Sequence, residues 1–188
     1  MKARVIKKTA RGKIFMIFGT VLVAATLAAA VNAWPADLAV GNNAPDFSAF
    51  TVAGEKLSLH QLKGKTVFLA FWSSWCSTSR EELAWLKKIS DLYPSIVFLV
   101  VNSETETTGI KSLAFMRQIV EEWDLPVAIV VDRGKKIWNE YQIHDLPTSI
   151  IISNNGNIEF LETNFFWASA DKFRGILNNM EGVSLNTP

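Results

Sequence analysis

The chain has 188 residues, 49% of them hydrophobic, and a formal charge of +1 from 19 Lys and Arg against 18 Asp and Glu. Six of the basic residues lie in the N-terminal stretch MKARVIKKTARGK, so residues 34–188 carry 13 basic against 18 acidic side chains, about −5, and present no basic face to a nucleic acid. The single cysteine, Cys76, excludes an intramolecular disulfide.

The basic stretch is followed by twenty uncharged residues, Ile14 to Ala33, a pattern that directs the chain to a membrane with everything after it on the outer side. Two fates fit this segment: cleavage after the small-residue site Val31-Asn32-Ala33, or retention as an anchor by a run long enough to span a bilayer. Residues 1–33 are read as signal peptide or membrane anchor, 34–45 as a linker, and 46–188 as one domain, periplasmic or otherwise extracytoplasmic.

Within the domain, Phe47 to Val52 and Glu55 to Leu59 predict a small hairpin about Ala53-Gly54. TVFLAFW, Thr66 to Trp72, is a continuous apolar run of the kind found in a strand buried on both faces. From Ser77, apolar residues at Leu83, Leu86, Ile89 and Leu92, with Arg80, Glu81, Glu82, Lys87 and Lys88 between them, predict an amphipathic helix stopped near Pro94. Ser95 to Asn102 is a second buried strand, Ile110 to Trp123 a helix, Pro126 to Asp132 a third strand and Lys135 to Tyr141 a short helix. Thr148 to Ser153 and Asn157 to Glu162 flank Asn154-Asn155-Gly156, a hairpin turn signal, and a closing helix runs from Ser169 to Met180. This order predicts an α/β fold: a central mixed sheet with helices on both faces, and the N-terminal hairpin as an extension.

Cys76 falls where the first buried strand runs into the amphipathic helix. Helix N-terminal N–H groups and the helix dipole favour an anion there, which lowers a thiol's pKa and raises its thiolate fraction. The plain alternative, a small buried hydrophobe, is opposed by the polar neighbours Ser73, Ser74, Ser77, Thr78 and Ser79. Trp72 ends the apolar run and belongs with the core, whereas Trp75 is placed as an exposed rim for a partner. His60 and His144, the only histidines, share no ligand spacing, and neither a metal site nor a cofactor is expected.

FWSSWCSTSR resembles the FWxxWCxxCR signature of thioredoxin-fold thiol-disulfide oxidoreductases of the exported TlpA/ResA-like branch, allied to the redoxin and AhpC/TSA group. The resemblance extends from Gly41-Asn42-Asn43-Ala44-Pro45-Asp46-Phe47 through Leu62-Lys63-Gly64-Lys65 to Leu146-Pro147-Thr148 and Asn155-Gly156. It implies a thioredoxin-like fold in which Cys76 is the attacking thiol and Pro147, trans by ordinary preference, is a cis-proline facing it. Leu146 would then touch the sulfur and pair with an extended substrate. Ala70 stands where thioredoxins carry a buried acid, and its methyl moves no proton. Glu104 stands near the place where ResA-like proteins hold an acid close to the thiol, and is a possible auxiliary residue; an exposed loop glutamate is the alternative.

The departure from the family pattern is Ser79, in place of the second cysteine. An alcohol cannot resolve a mixed disulfide as a second thiolate does. Ser79 either hydrogen-bonds the thiolate or is an ordinary residue of a first helical turn. The leading expectation is thiol-disulfide exchange through Cys76 alone, with protein or low-molecular-weight thiols and disulfides as partners, an inner-membrane redox protein among them. The alternatives are a non-catalytic module that binds peptides through Trp75, Leu146 and Pro147, and a one-cysteine peroxidase. The peroxidase pattern PxxxTxxC is broken at Leu69 and Ser73.

Overall fold

The computed structural model describes residues 38–102, 104, 113–125 and 127–181. The N-terminal basic and apolar segment, the expected helix start at Ile110 and the expected strand start at Pro126 lie outside the described residues. Seven strands, β1 (Ser48–Thr51), β2 (Lys56–Ser58), β3 (Val67–Phe71), β4 (Val97–Asn102), β5 (Ala128–Val131), β6 (Thr148–Ile152) and β7 (Ile158–Thr163), form one sheet in the spatial order β2-β1-β5-β4-β3-β6-β7. Among the described residues, four α-helices accompany it: α1 (Ser77–Ile89), α2 (Leu113–Trp123), α3 (Lys136–Glu140) and α4 (Trp167–Glu181).

β3 is the middle of the sheet in the physical sense, parallel to β4 and antiparallel to β6, with every residue buried. Because alternate side chains of a strand point to opposite faces, its run of apolar residues feeds two cores. Phe68, Ala70 and Trp72 pack with residues of α1, α2 and α4, whereas Val67, Leu69 and Phe71 pack with Ile137 and Tyr141 at α3. The β1–β2 hairpin does not stand apart, since β1 also pairs antiparallel with β5 and carries the sheet outward on that side. Residues 41–44 run beside the β6–β7 turn: Gly41 N donates to Ile158 O at 2.8 Å and Ala44 N to Gly156 O at 2.9 Å. Gly156 sits at φ +92° in that turn, a backbone conformation that favours glycine.

Two positions in and after α1 differ from the expected amphipathic pattern. The helix ends at Ile89 and tightens into a 3₁₀ turn over Ser90–Leu92, so Leu92 is 63% exposed while Tyr93 turns inward and its hydroxyl donates to Asn178 Oδ1 at 2.8 Å. A strict three-residue step drifts around a helix of 3.6 residues per turn, and the drift carries Leu92 off the buried stripe. Glu82, assigned by its charge to the polar face, is fully buried instead. Four residues before Leu86 and seven before Ile89, it lies on the stripe itself.

An aromatic cluster joins α1, α4 and the sheet. The Phe173 ring lies 5.1 Å from Phe68, 5.3 Å from Phe160 and 5.5 Å from Trp85 between centroids. Phe173→Ala should lower unfolding free energy by about 3–5 kcal/mol, and Leu92→Ala should change it by less than about 0.5 kcal/mol. Urea denaturation of the two variants measures both.

Candidate active site

Phe71, Thr148 and Thr163 stand in register across β3, β6 and β7. Three segments therefore leave the same end of the sheet side by side: residues 72–76, Leu146–Pro147, and the corner between β7 and α4. Cys76 closes the first as the N-cap of α1, with extended φ −89° and ψ 116°, and its carbonyl accepts the first helical bond, from Arg80 N at 3.3 Å. The Leu146–Pro147 peptide is cis, and Leu146 O lies 3.7 Å from Cys76 Sγ. Trp75 is 70% exposed beside the partly exposed thiol, whereas Trp72 is buried against Trp123 at 5.7 Å between ring centroids.

The sulfur occupies the place of an N-cap side-chain oxygen, which ordinarily accepts from the second and third N–H groups of the helix. Partial burial pushes the thiol pKa up; the hydroxyls of Ser79 and Thr78 and the N–H groups of the same two residues more than offset it, and the thiol falls below its ordinary value. Thr78 Oγ1 is 3.1 Å from the sulfur. Ser79 is completely buried and its hydroxyl has no hydrogen-bond partner of ordinary length. The group it can serve is the thiolate, and this agrees with its standing first among the groups that lower the pKa.

Glu104, just beyond β4, is buried rather than an exposed loop residue. Its Oε2 accepts from Ser74 N and from Asn102 Nδ2, each at 2.9 Å, and its Oε1 accepts from Ser74 Oγ at 3.0 Å. Asn102 completes the lattice, donating to Trp72 O at 3.3 Å and accepting from Glu104 N at 2.9 Å. The carboxyl group thus holds the segment leading to Cys76 in shape.

The second buried acid is Glu82, on the same face of α1 as Ser79, which precedes it by three residues. Ser149 Oγ donates to Glu82 Oε1, and Glu82 Oε2 is buried without a partner. Ser149 is the cross-strand neighbour of Ala70. The small methyl at position 70 and the hydroxyl beside it make room for a carboxyl arriving from the helix. Burial, only partly countered by the Ser149 bond, pushes the Glu82 pKa up to about 7.

Residues 40–161 match the AhpC/TSA family. The chain belongs to that family. Among its relatives, this AhpC/TSA member is 30% identical over 119 residues to the thiol-disulfide oxidoreductase ResA of Bacillus cereus, a match covering 63% of this chain and 66%, just under two thirds, of that relative. It is 36% identical over 119 residues to the thioredoxin-like protein YneN of Bacillus subtilis, covering 63% of this chain and 68% of the relative. The solved structure of a putative thiol:disulfide interchange protein DsbE from Chlorobium tepidum superposes with a TM-score of 0.67 at 22% identity, over 77% of this chain and 99% of that one. The architecture of this AhpC/TSA member is accordingly the thioredoxin fold.

Two outcomes follow for the site. Removing the hydroxyl in Ser79→Ala should raise the Cys76 pKa, read from thiolate ultraviolet absorbance against pH. Glu82 is neutral in the fold but ionised in the unfolded chain between its ordinary 4.5 and about 7, so native stability should be greatest below that window and fall as pH rises through it. The total fall is about 3 kcal/mol. Denaturant titrations of Glu82→Gln across the same window should show that slope removed.

Proposed function

We propose that this chain is an extracytoplasmic thiol-disulfide exchange protein that works through Cys76 alone. The observation that carries the reading is the replacement of a resolving thiol by the buried hydroxyl of Ser79 beneath a cysteine whose surroundings favour the thiolate. The basic and apolar N-terminal segment supports delivery across a membrane. Among the described residues no helix is long and apolar enough to span one.

In the first step the Cys76 thiolate attacks one sulfur of a partner's disulfide. The partner's S–S bond breaks, a new S–S bond joins Cys76 to the attacked sulfur, and the other partner sulfur leaves as a thiolate. In a dithiol enzyme the next attack is intramolecular. Here an external thiolate, from a low-molecular-weight thiol or a protein such as an inner-membrane redox partner, attacks the partner's sulfur and Cys76 leaves as a thiolate. The net result is exchange or isomerisation of disulfides with no net two-electron reduction by this chain.

Incubation with a peptide disulfide should yield a mixed disulfide at Cys76 that persists until a thiol is added, seen by intact mass, and Cys76→Ala should yield none. Ser79→Cys should shorten the adduct's life to that of an internally resolved disulfide and leave an oxidised Cys76–residue 79 pair. Equal adduct lifetimes in the two proteins would sink the proposal.

A further inference from the structure

The corner between β7 and α4 bears on what Cys76 exchanges with. Asn164 N donates to Pro147 O at 2.8 Å, which ties the corner to the segment that faces the thiol. Phe165 then turns inward against Trp85, 5.7 Å between ring centroids, and forms a T-shaped pair with Trp167 at 5.9 Å. Phe165 performs the packing at this corner. Phe166 and Trp167 nevertheless stand 63% and 57% exposed, and Trp75 stands 70% exposed on the loop that carries Cys76.

Exposed aromatic side chains gathered about a reactive group form a ligand surface, because each ring offers a large apolar area that is unfavourable to leave in water. These rings sit on two of the three segments that leave the sheet side by side, with Leu146 on the third. The Leu146 N–H makes no hydrogen bond within the described residues. An extended peptide, advancing ~3.3 Å per residue, reaches neighbouring segments while presenting its backbone to Leu146. Glutathione matches the surface poorly, since its carboxylates call for cations. Arg80, in the first turn of α1, lies over the Trp123 ring at 5.3 Å, and Lys172 in α4 is paired with Glu162 at 3.2 Å.

We propose that the sulfur attacked by Cys76 belongs to an extended polypeptide segment with bulky apolar side chains beside its cysteine, and that Phe166 and Trp167 select that segment. This inference rests on the exchange reading above and names its substrate class.

The test uses two short peptides, one with Leu and Phe on both sides of its cysteine and one with Ser and Gly, each as its mixed disulfide with thionitrobenzoate. Cys76 attacks the peptide sulfur, the S–S bond to thionitrobenzoate breaks, and the coloured thiolate released reports the rate. The apolar peptide should react at least ~10-fold faster than the polar peptide or the glutathione counterpart, a difference within reach of two aromatic contacts. Phe166→Ser and Trp167→Ser should each reduce that ratio, and because both rates come from one protein, a loss of folded material cancels. Equal rates in the unaltered chain, or a preference that survives both substitutions, overturn the proposal. Failure of Cys76 to react with any disulfide overturns the exchange reading instead. The surface is then judged by equilibrium binding of the same peptides with Ala for Cys, where tighter binding of the apolar peptide that both substitutions weaken upholds it, and equal binding overturns it.

Discussion

The site depends on how the chain leaves β3. A strand buried on both faces delivers its last residue, Phe71, into the core, and the segment from Trp72 to Cys76 must turn toward the surface through a region with little water to serve its polar groups. Buried N–H groups and hydroxyls without partners carry a penalty of about 1–3 kcal/mol each. Glu104 answers that constraint by accepting both the N–H and the hydroxyl of Ser74, and Asn102 braces the carboxylate against Trp72 O. Because Asn102 ends β4 and Glu104 follows it, and β4 is the parallel partner of β3, sheet pairing contributes to the position of Cys76 beyond the loop's own preferences.

Two buried acids near one thiol are held in different ways, and the difference assigns them different work. Glu104 accepts three hydrogen bonds and fixes backbone. Glu82 has one bonded oxygen and one buried oxygen without a partner, and takes up or loses a proton near neutrality. It lies on the helix face that also carries Ser79, one turn further into the core. At Cys76 itself burial acts upward, the hydroxyls and N–H groups of Ser79 and Thr78 act in the opposite sense, and the net effect is downward.

Much of the strand and helix order was legible because TVFLAFW and SIVFLVVN are apolar runs too continuous for anything but buried strands, and because CSTSREEL changes period at once. The placing of Cys76 at the start of the helix was legible from that junction together with the family signature. What escaped was long-range. Glu104 was read beside the option of an exposed loop residue because its partners, Ser74 and Asn102, come from other turns of the chain. Glu82 escaped because charge was allowed to outweigh position, although counting back from Leu86 and Ile89 places it on the buried stripe. Phe166 and Trp167 fell before the expected start of the last helix at Ser169. Only the register of Thr148 with Thr163 brings them beside Pro147.

Ser79 therefore deserves a reading beyond the loss of a thiol. Its buried hydroxyl has no hydrogen-bond partner of ordinary length, and it stands first among the groups that lower the Cys76 pKa. In a mixed disulfide the sulfur is neutral and a weaker acceptor for that hydroxyl than the thiolate is. The same asymmetry that favours the thiolate before attack thus favours its departure afterwards, since a thiol of lower pKa is the better leaving group in disulfide exchange. Serine cannot attack a mixed disulfide, yet on the proposed exchange it makes Cys76 easier for another thiol to displace. On that proposal the residue that removes the internal second step also eases the external one, and the partner that supplies the thiol would control when the captured segment is released.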